Sequence, residues 1–284
     1  MRDLFRRVIL QSTPFGSLPR PPDAGVATAE TFARELGFDA SAATGQKLSQ
    51  VPLDRLFVAQ GAVGAQVAKD TQRGGLPSPP FWPVGDGVVV PTPDRYAAAM
   101  TDAAQYIDVM IGTTREEMGV FFAYNPAVQG LEKPPIPAID SERLKARRPA
   151  ASATQLFSDY CCEQMFNNGS VEWAVNAAHA GRRVYLYQFD WPSPDRKLQS
   201  CHCLDLPFVF GTRQAFADAP MLNGTDSGDI DALSAVMRAS WIAFARNGDP
   251  NHPALPHWPR FDARRRATMH FDNVCAAFGD AAAA

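Results

Sequence analysis

No stretch of this sequence approaches the roughly 20 consecutive apolar residues that a membrane-spanning helix requires. The N-terminal MRDLFRRVILQSTPFG has an apolar core too short and too promptly broken for a secretory leader. Neither membrane insertion nor export is indicated, and a cytoplasmic location is favoured. An excess of one charge is also missing: 27 basic against 30 acidic residues leave −3 at pH 7, so nothing draws the chain electrostatically to nucleic acid or to an anionic membrane. A small neutral partner fits better. Cys161, Cys162, Cys201, Cys203 and Cys275 follow no regular spacing, and their odd count leaves a thiol over, which excludes a disulfide framework. The paired C-x2-C loops of structural zinc sites are absent, and adjacent Cys161 and Cys162 point to different faces of a helical pattern, so no metal or other cofactor is expected. With no internal repeat and no low-complexity linker, residues 1–284 read as one domain.

What is present is enough apolar residue to build a large core: 46% hydrophobic and 20% charged over 284 residues. Helical and extended patterns alternate for most of the length, which predicts an α/β fold with a largely parallel sheet flanked by helices. Phe5 to Leu10 reads as a strand that begins almost at Met1, a hint that sequence is missing upstream. Ala24 to Leu36 and Pro52 to Lys69 carry helical spacing, the first ending at Gly37. Gly74 to Pro93 is a Gly/Pro-rich loop, and "YIDVMI" (Tyr106 to Ile111) is a strand stopping at Gly112-Thr113-Thr114. Ser152 to Ala180 is helical with a break near Asn167-Asn168-Gly169, and "RVYLYQF" (Arg183 to Phe189) is a strand. Asp229 to Arg246 places Ile230, Leu233, Met237, Trp241 and Phe244 three or four apart on one helix face, and Thr268 to Phe271 is the last strand. Arg264-Arg265-Arg266 sits in a polar stretch and reads as a solvated turn.

Two residues stand where chemistry collects in doubly wound sheets, just beyond the carboxyl ends of strands. Glu117 follows the first "GTT" strand end, and His202 follows "RVYLYQF" through a loop, in the stretch "CHCLDLPFVFG" (Cys201 to Gly211). A histidine that carries a proton and a carboxylate that orients it are two of the four parts of a serine-type hydrolase. The residue types alone leave the plainer readings open: a Glu-Glu pair at a helix start is favoured by the helix dipole, and a lone histidine is often structural.

"IGTTREEMGVFF" (Ile111 to Phe122), "CHCLDLPFVFG", "SWIAFARNGDPNHPALPHWPRFD" (Ser240 to Asp262) and "LFRRVILQS" (Leu4 to Ser12) resemble, in the right order, the type-B carboxylesterase family, which includes para-nitrobenzyl esterases and cholinesterases. The resemblance implies an α/β-hydrolase fold and hydrolysis of carboxylic esters, with a small-molecule ester as substrate. The family's acid motif G-T-x-x-[DE]-E-G matches Gly112, Thr113, Glu116 and Glu117, which puts the acid role on Glu117. Its H-x-x-[ED]-[LI]-P-F-V-F-G motif puts the base role on His202, and Asp205 becomes a nearby helper or structural residue. Met118 and Cys203 stand where the family often has glycine, which predicts altered or strained loop geometry beside each candidate. The family's G-x-S-x-G nucleophile elbow occurs nowhere in these 284 residues. "LFRRVILQS" is what the family shows just after the elbow's helix, so the resemblance implies the C-terminal part of a carboxylesterase domain that lacks nucleophile and oxyanion hole. The missing N-terminal half is then an expected partner, and the alternative is a noncatalytic remnant or scaffold of the same fold. Ser12, Ser158, Ser170 and Ser200 lack the tight Gly turn that would present a substitute nucleophile, and Cys201 and Cys203 lie too close along the chain to His202 for relaxed attack.

Overall fold

In a computed structural model, residues 4–39, 41, 45–72 and 79–279 are described. The chain runs β1 (Arg7–Gln11), α1 (Pro22–Glu35), α2 (Gly45–Leu48), α3 (Leu53–Gln72), α4 (Pro93–Ala104) and β2 (Asp108–Thr114). It continues through α5 (Gly119–Phe122), α6 (Pro126–Gln129), α7 (Ala138–Arg147), α8 (Ala153–Cys162), α9 (Asn168–His179) and β3 (Val184–Phe189). It closes with α10 (Leu206–Phe210), α11 (Ser227–Asn247), β4 (Thr268–Phe271) and β5 (Ala276–Phe278). Two compact units emerge: Met1–Gly16 with Met100–Ala284, and Ser17–Ala99. No helix among the described residues is long and apolar enough to cross a membrane.

The larger unit is built on a sheet in the order β1-β2-β3-β4-β5, parallel through β4 and antiparallel at β5. Parallel strands are covered on both faces, which is why these segments are near-continuous apolar runs and not alternating ones. Successive side chains still point to opposite faces. Met110, Tyr185, Tyr187, Phe189, Met269 and Phe271 join one buried cluster with residues of α10 and α11, including Ile230, Leu233, Met237, Trp241 and Phe244. Val109, Ile111, Val184 and Leu186 join a second with Trp173, Ala174 and Ala177 of α9. Helices therefore cover both faces. Gly112 of β2 is required by close approach: a Cβ there would sit 2.3 Å from the Tyr187 carbonyl oxygen and 2.5 Å from its ring.

Phe271 is fully buried and meets Tyr187, Trp241 and Trp258 edge-on at centroid distances of 6.0, 5.5 and 5.6 Å. Phe271→Ala is expected to cost about 3–5 kcal/mol, the usual result of emptying a packed aromatic site. Urea denaturation checks this; a cost below about 1 kcal/mol would mean the site collapses freely.

The structure corrects several expectations. β2 continues through Gly112-Thr113-Thr114, because these residues keep pairing with Tyr187, Gln188 and Phe189. The expected break near Asn167 is a π-helical segment, Glu163–Asn167, through which the chain stays helical from α8 into α9. β4 is followed by a further strand, β5, too short at three residues to show a pattern. Helix α4 was unanticipated, although its amphipathic pattern is as marked as that of α1. Of the Gly74 to Pro93 loop, residues 74–78 lie outside those described; residues 79–92 hold no helix or strand beyond a bridge of Val84 to Arg20. Within the Ser17–Ala99 unit, Phe32 of α1 meets Phe81 edge-on at 5.2 Å.

Candidate active site

The carboxyl ends of β1, β2 and β3 lie close together: β2 and β3 end on the pair Thr114–Phe189, and β1 ends two residues earlier, on Gln11–Gly112. The segments leaving these ends are thereby brought together. Beyond β2 the chain turns at Arg115 and Glu116 and places Glu117, fully buried, beneath the strand ends. Beyond β3 a longer loop is pinned back to the strand by the Ser200 hydroxyl, which donates to the Phe189 carbonyl at 2.6 Å. It is also stitched to the acid turn: the Glu116 amide donates to the Ser200 carbonyl at 3.0 Å, and the Ser200 amide donates to Glu116 Oε2 at 3.2 Å. Two residues further on stands His202, followed by α10 with Pro207 in its first turn and Gly211 as a left-handed cap at φ 64°.

The structure brings Glu117 and His202 together, with Nδ1 2.5 Å from Glu117 Oε2. The other carboxylate oxygen, Oε1, accepts from the Thr114 amide at 2.7 Å and from the Ser12 hydroxyl at 2.6 Å. A buried carboxylate with three donors is satisfied without leaving charge unpaired. Binding through Nδ1 leaves Nε2 as the nitrogen that can face a reacting group. The His202 ring lies between Phe121 and Phe166, at centroid distances of 5.7 and 5.5 Å. Burial pushes its pKa down, but hydrogen bonding and charge at Cys203 and Glu117 outweigh burial, and the imidazole is pushed up to about 10.

Ser12, just past β1, has its hydroxyl turned to the acid, at a left-handed φ of 50°. Sequence reasoning weighed Ser12 only as a nucleophile and missed this contact; the signal was the adjacency of two parallel strand ends. Asp205 is 3% exposed and bonds to Gln11 Nε2 at 2.8 Å, while Gln11 Oε1 accepts from the Trp241 indole at 3.0 Å. Burial pushes the Asp205 carboxyl up to about 6 against the pull of that amide. Cys201 is fully buried, and burial pushes its thiol up to about 12, far from a reactive thiolate.

The two glycine departures behave differently. Met118 sits at φ −80°, ψ −5°, an ordinary helical conformation, with its side chain fully buried, so the expected strain is absent there. Cys203 sits at φ 69°, in the region that costs an L-residue roughly 1–2 kcal/mol. Cys203→Gly is therefore expected to stabilise the fold by about 0.5–1 kcal/mol after the entropy glycine adds to the unfolded chain. It should also lower the His202 pKa, because the thiol is one of the groups that raise it. Denaturation and histidine NMR titration check the pair; a destabilised variant would show that the thiol's contacts outweigh the backbone strain.

A mostly parallel sheet with helices on both faces, an acid after one strand and a histidine after the next is the architecture of the α/β hydrolases. The carboxylesterase family model matches residues 138–278. Phenmedipham hydrolase of Pseudarthrobacter oxydans is 31% identical over 279 residues, covering 94% of this chain and 54% of that protein. Para-nitrobenzyl esterase of Bacillus subtilis (strain 168) is 29% identical over 203 residues, covering 68% of this chain and 40% of its own length. The crystal structure of the Geobacillus stearothermophilus carboxylesterase EST55 superposes with a TM-score of 0.74 at 27% identity, over 98% of this chain and 57% of that one. The chain belongs to the carboxylesterase family. It spans about half the length of the relatives that cover most of it.

Proposed function

We propose that this chain supplies the acid–base half of a serine-type carboxylic ester hydrolase. His202 Nε2 takes the proton from an attacking hydroxyl and returns it to the leaving alcohol. Glu117 holds the ring by Nδ1 and balances the imidazolium that forms between these steps. The hydroxyl and the oxyanion donors come from a family segment carrying G-x-S-x-G, which this sequence does not contain. The observation that carries the reading is the 2.5 Å contact from His202 Nδ1 to the fully buried Glu117. Two features support the rest. Among the described residues β1 pairs only with β2, so its other edge can accept a parallel strand from that segment. Phe121 and Phe166 beside the imidazole suit an ester with an aromatic or other apolar group.

The test is hydrolysis of p-nitrophenyl butyrate by the chain alone and by the chain joined to an N-terminal segment that bears the elbow. Turnover only in the joined protein is expected. Equal turnover by the chain alone, abolished by no change at His202, would refute the assignment.

The raised pKa of His202 sets a pH dependence. Only the neutral ring can accept a proton, so kcat/KM of the joined protein should keep rising toward pH 10 instead of levelling near the ordinary histidine value of 6.5. The charged ring stabilises the fold for the same reason: that contribution is whole below pH 6.5 and fades as pH rises through about 10. A rate profile already flat at pH 8 would contradict both.

A further inference from the structure

The acid and the base each stand one residue past a single cross-link between their loops. Glu116 and Cys201 form an isolated parallel β-bridge, and the residues that follow on the two chains are Glu117 and His202. Parallel neighbours run about 4.7–4.9 Å apart, so this one rung sets the span across which the carboxylate meets Nδ1. A slip of one residue would set Cys203 opposite Glu117 and carry the imidazole out of reach. What holds the rung is the rest of Glu116. Its amide donates to the Ser200 carbonyl at 3.0 Å and its Oε2 accepts from the Ser200 amide at 3.2 Å, so both backbone groups of Ser200 are bound by one residue. Ser200 is fully buried, and its amide has no water to turn to if the carboxylate is withdrawn. Phe189, at the end of β3, gives the two loops a common anchor: its carbonyl accepts from the Arg115 amide at 3.0 Å and from the Ser200 hydroxyl at 2.6 Å. The charge of Glu116 matters less than its oxygen. Its ion-pair partner Arg115, 3.4 Å away, has a side chain 59% exposed, and pairs that open to water contribute little.

We infer, on the reading that His202 is the base, that Glu116 is a positioning residue for the ester chemistry: its carboxylate oxygen fixes the register of the acid turn with the histidine loop, and through that register the contact of Glu117 with His202. The two members of the Glu-Glu pair thus have separate tasks. Glu117 faces the imidazole, while Glu116 faces the backbone of the loop that carries it and touches no reacting atom. Without that acceptor the buried Ser200 amide is left unpaired, and the histidine loop regains a partner only by shifting. A shift of about 1 Å in a catalytic group lowers a rate on the order of 100-fold.

The test compares three substitutions at this position. Glu116→Gln keeps an acceptor oxygen and loses the charge, Glu116→Met keeps the volume and loses the acceptor, and Glu116→Asp keeps the charge but falls one methylene short of the Ser200 amide. In the purified chain, the Nδ1 proton of His202 should hold its NMR position in Glu116→Gln and move upfield in the other two. In the chain joined to the elbow-bearing segment, Glu116→Gln should stay within about threefold of the parent kcat for p-nitrophenyl butyrate. Glu116→Met should lose on the order of 10–100-fold in kcat with KM within about twofold, the split expected when only the transition-state geometry suffers. Glu116→Asp should fall in the same direction, and it decides the matter if Glu116→Met does not fold. A parent-like Glu116→Met or Glu116→Asp, a Glu116→Gln as impaired as they are, or a rate loss with the Nδ1 proton unmoved would each overturn the role. The proton is read without turnover, so this result and that of the ester assay stand or fall separately.

Discussion

His202→Ala, made in the chain joined to an elbow-bearing segment, is expected to lower kcat for p-nitrophenyl esters on the order of 10⁵–10⁶-fold while leaving KM within a few-fold. Among the described residues two imidazoles bond a carboxylate through Nδ1, His202 to Glu117 and His270 to Asp190, and of the two carboxylates Glu117 is the fully buried one. Without it an attacking hydroxyl keeps its proton, and the leaving alcohol departs without one. The ring's removal should lower stability, since Glu117 loses one of its three donors and the charged ring's contribution, but the fold should persist because Thr114 and Ser12 still bond the carboxylate. Loss of activity in a variant that is less stable but still folded is the diagnostic combination. A variant that retains more than a hundredth of the parent rate would remove His202 from the chemistry.

Glu117→Gln should lower kcat by about 10⁴-fold, a result that follows from hydrogen-bond direction more than from charge. Oε1 accepts from Thr114 and Ser12, so a glutamine's carbonyl oxygen belongs there, and its amide group must then face His202. An amide N–H donates to Nδ1, which forces the ring proton onto Nε2, the nitrogen that has to accept. The variant keeps volume and all three hydrogen bonds, the one to His202 with its direction reversed, so it should fold. The kcat loss should come with KM nearly unchanged, and the raised His202 titration should fall toward the ordinary value because Glu117 is one of its causes. Parent-like activity in a folded Glu117→Gln protein would reassign the carboxylate to structure alone.

Much of this arrangement was legible before any coordinates, because it is written in residue patterns that local physics reads directly. The apolar runs of β2 and β3, and the spacing of Ile230, Leu233, Met237, Trp241 and Phe244 on α11, follow from burial on two sheet faces and on one helix stripe. Glu117 and His202 were marked by their positions after strands and by the motifs around them. What stayed hidden depends on pairing between distant segments. The Ser12 hydroxyl reaches Glu117 only because β1 and β2 are neighbours, and Glu116 bonds to Ser200 only because two loops meet. Strain followed backbone conformation and not residue type: of two residues in glycine positions, Cys203 takes a positive φ and Met118 does not. The π-helical segment at Glu163–Asn167 likewise left no mark beyond the Asn-Asn-Gly run that suggested a break.

The most direct test of the central claim is the protonation state of the His202 ring in the chain as it stands, followed by 15N NMR with selectively labelled histidine. The account predicts a strongly downfield Nδ1 proton, bonded to Glu117, that persists above pH 7 and vanishes in Glu117→Ala. An Nδ1 that carries no proton at pH 7, or a resonance indifferent to that substitution, would contradict it.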